Sequence, residues 1–447
     1  MSAADTLNLL SDLVATAKRA GADAADAVLV DSASVSLAWR LGELERLERS
    51  ESGDIGLRVL IGRRQAMVSS SDRSESALAE LVERCVAMAR TVPEDPFAGL
   101  AEPGQLAATF PDLDICDPVE PSAETLVDMV RRTEDAARSV EGVTNSDGAE
   151  AGWGRSSVAF VGSNGFAHSY AFTHCSLSAS VLAGDSSTGM ERDHDYTTAV
   201  HMADLRSPED VGLEAGRRTV ARLGSRKVKT CKVPVVYDPR VARSLAGTLA
   251  GAINGAAIAR GTSFLKDSMG ERVFAPGIRV VDDPHRHRGL RSRPCDGEGL
   301  PTRPMAVIED GMLTTWLLDL RSSRQLKLAP TGHGSRGTAS PPSPSASNFY
   351  IDAGPVTVQE LIGDISHGLY VTEAFGHGIN MVTGDYSRGA AGFWIEGGEI
   401  AYPVSEITIA GNMKDMFLNL TPANDLVFRY GIDAPTIRID GLTLAGR

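Results

Sequence analysis

Basic charge is in short supply in this sequence. It carries 44 Lys and Arg against 58 Asp and Glu, a formal net charge of −14. A chain this acidic repels phosphate backbones unless basic residues cluster locally. The two densest runs, Arg226, Lys227, Lys229 and Lys232, and His285 to Arg293, read as a strand lead-in and an exposed loop. Nucleic acid is therefore not an expected partner. Cysteine is sparse too: Cys85, Cys116, Cys175, Cys231 and Cys295 are odd in number and form no C-x-x-C pair. That excludes a disulfide framework or zinc ribbon and suits a reducing compartment. Apolar runs of membrane-spanning length are missing. The N-terminal apolar pattern holds Asp5 and Asp12 with no basic segment before it, unlike a signal peptide. The expectation is a cytoplasmic protein without membrane contact. Aromatic residues make up only 5%.

Glycine and proline are plentiful, at 45 and 22 in 447 residues. This length exceeds what one core supports, and the turn residues point to strand-rich parts. The predicted fold class is α+β: an N-terminal region of two helix–strands–helix units, then a β-rich barrel- or sandwich-like domain around a small-residue helix. The first unit spans residues 1–105. Leu7, Leu10, Val14 and Ala17 give a helix from about Asp5 to Arg19. Strands follow over 27–40 and 53–72, and Ser74 caps a second helix. Prolines over 91–105 break the pattern. The second unit, residues 106–226, repeats the order, with a helix from Ser122, strands about the Ser163-Asn164-Gly165 turn, and a helix opened by Ser207-Pro208. These are two small units, or one domain built from two halves.

Residues 227–447 differ. A strand leads through Asp238 and Pro239 into a helix stopped by Gly261, with small residues at Ala246, Gly247, Ala250, Gly251, Gly255 and Ala256. Each glycine inside a helix costs about 1 kcal/mol relative to alanine, so a close neighbour is expected along this helix. Hairpins are predicted about Asp310-Gly311 and Gly397-Gly398. Between them a Gly/Ser/Pro-rich loop over 330–349 is too long for an ordinary connection.

Short motifs carry little. Gly332 to Gly337 matches G-x-G-x-x-G, but prolines replace the strand and helix a dinucleotide site needs. Ser263-Phe264-Leu265-Lys266 matches S-x-x-K without its companion elements. Glu191, Asp193, His194, Asp195 and His201, and Asp282, Asp283, His285 and His287 with Cys295, are acid–histidine groups. They read as solvated turns, since zinc wants about four converging donors and H-E-x-x-H is absent.

Three longer segments resemble the TldD/PmbA metalloprotease family, in its PmbA (TldE) branch: 52–72, Arg260 to Phe274, and Gly384 to Phe417. The resemblance spans nearly the whole chain. It implies cytoplasmic metalloproteases with two kinds of subunit, acting on unfolded or flexible peptides. In the D-type, an H-E-x-x-x-H helix and a later cysteine hold zinc, which acidifies bound water and polarises the scissile carbonyl. Counting back from Arg260, the motif positions fall near Ala246, Gly247 and Gly251, which offer no donor. The cysteine region offers Asp385, Tyr386, Ser387 and Arg388. The resemblance thus implies a non-catalytic subunit with no cofactor of its own, zinc residing in a D-type partner. It would form a heterodimer with that partner, or a homodimer. Ser345, Asn348, Asp385, Tyr386, Ser387 and Arg388 are candidate peptide-cleft residues, Arg388 alternatively pairing with Asp385. Alternatives are a self-sufficient peptidase with metal at His194 and His201, or a regulator of a gyrase or toxin–antitoxin system through protein contacts.

Overall fold

The computed structural model describes residues 2–185, 189–376 and 378–446. Helix α1 (Ala3–Arg19) starts on a capping box of Ser2 and Asp5. Strands β1 (Ala24–Arg40), β2 (Glu43–Ile61) and β3 (Arg64–Ser70) follow, then α2 (Glu75–Thr91), capped by Ser74. The order recurs. Ser122 caps α3 (Ala123–Arg138), and β4 (Val143–Gly162), β5 (Ala167–Asp185) and β6 (Gly189–Ala199) lead to α4 (Pro208–Ala221). Ser207 caps α4 with Pro208 in its first turn, where the missing amide hydrogen has no helical partner to lose.

Both halves share one antiparallel sheet, ordered β3-β2-β1-β4-β5-β6 and joined where β1 pairs with β4. On β1, Ala25, Ala27 and Leu29 pack with Leu10 of α1 and Leu81 of α2. Val35 and Leu37 pack with Leu126 of α3 and Ala215 of α4. All five β1 positions are odd-numbered, so both helix pairs cover the same face. The opposite face carries Ser32, Ser34 and Ser36, and at its β6 edge His194, Tyr196 and Thr198.

In the second half, β7 (Cys231–Tyr237) leads into α5 (Pro239–Ala252), capped by Asp238. This helix ends well before Gly261. Asn254 accepts hydrogen bonds from the amides of Ala256 and Ala257 and starts a separate short helix, α6 (Gly255–Ala259). Gly261, at φ +71°, follows α6. The chain continues through β8 (Val280–Asp283), β9 (Met305–Glu309), β10 (Met312–Leu313), α7 (Leu320–Leu326), β11 (Gly334–Ser335), β12 (Ser343–Pro344) and β13 (Asn348–Ile351). Then come α8 (Val358–Ile362), β14 (His367–Phe375), β15 (Asp385–Glu396), β16 (Glu399–Asn412), α9 (Met413–Leu418), β17 (Leu420–Pro422), β18 (Ile432–Asp433) and β19 (Ile437–Ala445).

Strands β16-β15-β14-β7-β19 close into a five-stranded barrel because β16 also pairs with β19. A second sheet runs β10-β9-β8-β13-β18. Helix α5 lies between them, touching β7 and β14 on one side and β13 and β18 on the other. Both expected hairpin turns form, with positive φ at Asp310 and Gly311 and at Gly397 and Gly398.

The expected tight packing along α5 occurs elsewhere. A methyl group on Gly247 would meet nothing within 4 Å, and one on Gly251 only Met381 Cε at 3.4 Å. The close approach is at Gly255, where a methyl would lie 2.5 Å from Leu318 Cδ2 and 2.8 Å from the Leu317 carbonyl oxygen. Ala246, Leu249 and Ala252 face the core, so Gly247 and Gly251 lie on the open side of the helix.

The Gly/Ser/Pro loop is ordered by buried polar contacts to carboxylates. His333 Nε2 lies 3.0 Å from Asp282 Oδ2, which also accepts the Ser347 hydroxyl at 2.6 Å, while Asp282 Oδ1 accepts the Ser347 amide. Arg336 crosses to the N-terminal sheet and meets Asp26, which Arg58 holds from its other side. The apparent dinucleotide motif is thus an anchor between the two halves of the molecule. The S-x-x-K serine is structural as well: Ser263 Oγ donates to the Ala252 carbonyl and accepts the Leu265 amide.

Candidate functional site

A pocket of about 370 Å³ opens where the β6 edge of the N-terminal sheet meets α5 and the barrel strand β14. β6 contributes Arg192, His194 and Tyr196; α5 contributes Arg240, Arg243 and Ser244. Thr372, Glu373 and Ala374 of β14 and Arg388 of β15 complete the wall. On α5, Arg240, Ser244, Gly247 and Gly251 recur at spacings of four, three and four, which places them along one side of the helix. The pocket therefore adjoins the open face carrying two of the expected motif positions, Gly247 and Gly251, while Ala246 faces the core.

The charges at this site divide into paired and unpaired. Burial acts to raise Asp193, but Arg240, with Arg222 behind it, holds its carboxyl below the usual range. Arg222 also pairs with Glu191 and Glu373. Asp195 is held by Arg206 and Arg218. Burial keeps His194 below its ordinary value despite Asp193 beside it. The acid–histidine group at residues 191–195 is thus a set of arginine ion pairs. Arg388 has neutral partners: it donates to the Ala374 carbonyl at 2.8 Å and lies 3.4 Å from Ser244 Oγ. Its Nε is buried without a partner among the described residues. It does not pair with Asp385, which instead accepts from Thr383 and Asn412. Arg243 rests on the Tyr430 ring, 4.4 Å from its centroid.

The structure separates the six cleft candidates. Arg388 lines the pocket. Asp385 and Ser387 are exposed on the same strand, whereas Tyr386 points inward and is buried near Tyr237, burial raising both phenols. Ser345 belongs to the anchored loop, donating its amide to His333 and accepting from Arg293. Asn348 is buried at a second pocket of about 340 Å³, where it bonds Asp283, Ser292 and the Arg291 amide. Ser244, Arg243, Arg192 and Tyr196 were missed from sequence, and His194 was named there only as an alternative metal ligand. Helical spacing back from Gly247 could have found the first two; nothing local marks β6 as a neighbour of α5.

Zinc does not fit here. Ala246, Gly247 and Gly251 have no side-chain donor, and beside the open face stand the Ser244 hydroxyl, the Met381 thioether and the Arg388 cation, which repels a dication. Among the described residues no group of three or more His, Cys, Asp or Glu is placed to hold a metal ion. None of the described helices is long and apolar enough to cross a membrane.

A barrel domain carrying a buried small-residue helix, docked on a six-stranded α+β sheet, defines the class. Family models described as PmbA/TldA metallopeptidase domain 1, central domain and C-terminal domain match residues 25–89, 116–223 and 230–446. The chain belongs to the PmbA/TldD metallopeptidase family. It is 38% identical over 444 residues to the metalloprotease PmbA of Escherichia coli O157:H7, covering 98% of this chain and 96% of that one. To the PmbA homolog of Haemophilus influenzae it is 35% identical, covering 98% and 95%. TldE from Thermococcus kodakarensis superposes with a TM-score of 0.88 at 20% identity, covering 98% and 100%. A Bacteroides thetaiotaomicron protein named as a candidate modulator of DNA gyrase superposes at 0.90 and 24%, covering 98% of each chain. These two likenesses concern the fold.

Proposed function

We propose that this chain is the non-catalytic, TldE-type subunit of a two-subunit zinc metalloprotease and completes the peptide cleft of a TldD-type partner. The observation that carries the reading is the open face of α5. The helix and its surroundings keep the family architecture, but glycines and an arginine stand where a metal site needs imidazole, carboxylate and thiolate. Without those donors this face of α5 offers nothing to hold a zinc ion that could activate water.

The β6 edge supports a role in holding substrate. Among the described residues this strand has one sheet partner, β5, although the His194 carbonyl accepts from Arg240, and it lines both pockets described above. An extended peptide can add to such an edge through backbone hydrogen bonds, which suits unfolded substrates of varied sequence. Five free cysteines fit a cytoplasmic setting. The net charge of −14 disfavours nucleic acid as a direct partner.

Zinc stoichiometry of the purified full-length chain is the test. After equilibration with zinc and removal of free metal, the chain should retain well below one equivalent and hydrolyse no unstructured peptide. One tightly held zinc accompanied by chelator-sensitive hydrolysis would overturn the reading in favour of a self-sufficient peptidase.

A further inference from the structure

The pocket beside α5 holds more positive charge than its own residues neutralise. Five arginines line it, Arg192, Arg222, Arg240, Arg243 and Arg388, against two carboxylates, Asp193 and Glu373. Both carboxylates are already engaged: Asp193 by Arg240 and Arg222, Glu373 by Arg222. Arg192 is directed to Asp147. Arg388 has no carboxylate partner among the described residues, and Arg243 forms no ion pair among them, its charge reaching only the buried Asp433, in a protein whose acids outnumber its bases.

Both guanidinium groups are held in place by neutral contacts. Ala374 and Ser244 fix Arg388, and the Tyr430 ring fixes Arg243. Tyr430 is itself packed on Tyr196, with ring centroids 5.2 Å apart. A positioned, planar donor fork with unused N–H groups suits a carboxylate. Neutral anchoring costs little order on binding and leaves the charge available.

We propose that Arg243 and Arg388 form a subsite for a peptide carboxylate, either the terminal carboxylate or an Asp or Glu side chain, at one end of the cleft. This rests on the peptide-cleft reading above and adds a preference to it. The β6 edge would hold the backbone, the glycine face of α5 would leave room for side chains, and the arginine pair would fix the register of the bound segment.

The test is fluorescence anisotropy of three labelled unstructured peptides with the full-length chain. One has a free C-terminus and no acidic side chain, one is its C-terminal amide, and one is that amide with a single internal Glu. An acid-bearing peptide should bind about tenfold or more tighter than the neutral amide, the scale of one charge-assisted contact. Which acid-bearing form gains identifies the source of the carboxylate. Arg388→Gln and Arg243→Gln should each reduce the ratio of acid-bearing to neutral-amide affinity, with near-UV circular dichroism reporting that the variants are folded. Arg388→Lys should restore part of it. Equal binding of all three peptides overturns the subsite while leaving the cleft reading intact. An acid advantage that survives both substitutions also overturns it. If no peptide binds either the chain alone or its equimolar mixture with a TldD-type subunit, the cleft reading and the subsite fall together.

Discussion

Replacing Gly247 and Gly255 by alanine, one at a time, should shift stability in opposite directions. Gly247 lies within α5, and its new methyl would meet nothing within 4 Å. The backbone entropy recovered in a helix interior is about 1 kcal/mol, so Gly247→Ala should stabilise the C-terminal half by 0.5 to about 1 kcal/mol. At Gly255 the methyl would press on Leu318, Ser322 Oγ at 2.7 Å and the Leu317 carbonyl. Two of these three contacts cannot yield as flexible chain ends, because Leu318 is 1% exposed and the carbonyl accepts the Gly255 amide. Overpacking of this kind costs about 1–3 kcal/mol. Denaturant unfolding followed by the fluorescence of Trp316 and Trp394, both in the C-terminal core, in a background where Trp39 and Trp153 are replaced by Phe, reads the relevant half. A destabilising Gly247→Ala would refute the reasoning. It would mean that another part of the molecule packs on the face we describe as open cleft.

Two further outcomes follow from the buried charges. Burial, and then the adjacent Asp296, push Glu298 up to about 8. Its folded value is raised, so its stabilising contribution is complete below the ordinary carboxylate range and is lost as pH rises through about 8. Glu298→Gln, which can still accept the Leu320 amide, should therefore gain stability relative to the parent between about pH 6 and pH 9. Parallel unfolding curves at both pH values would contradict this. Asp282→Ala leaves the buried His333 and Ser347 hydroxyl without their acceptor. It should cost about 1–3 kcal/mol for each orphaned donor and open residues 330–348 to limited proteolysis; an unchanged digestion pattern would count against the anchoring role.

Local signals in the sequence translated well into structure. Ser74, Ser122, Ser207 and Asp238 cap the helices they precede, because an N-cap depends on a few neighbouring residues. The turns at Asp310-Gly311 and Gly397-Gly398 depend on φ preferences just as local. Long-range pairing was not legible. The joining of two helix–strand units into one sheet through β1 and β4, and the barrel closure of β16 on β19, depend on contacts between distant segments. Composition misled in two places. The glycines of α5 suggested close packing, whereas the one crowded glycine stands after the helix break at Asn254. The Gly/Ser/Pro loop looked structureless, yet His333 and Arg336 tie it to buried carboxylates from other parts of the chain. The candidate site was only partly visible for the same reason: Ser244 and Arg388 meet across 144 residues.

Hydrolysis of an unstructured polypeptide by this chain, by a TldD-type subunit, and by an equimolar mixture tests the central claim most directly. This chain alone should show no hydrolysis, and the mixture should run well above the rate of the TldD-type subunit alone and be abolished by a chelator. Chelator-sensitive hydrolysis by this chain alone, or a mixture no faster than the TldD-type subunit by itself, would contradict that claim.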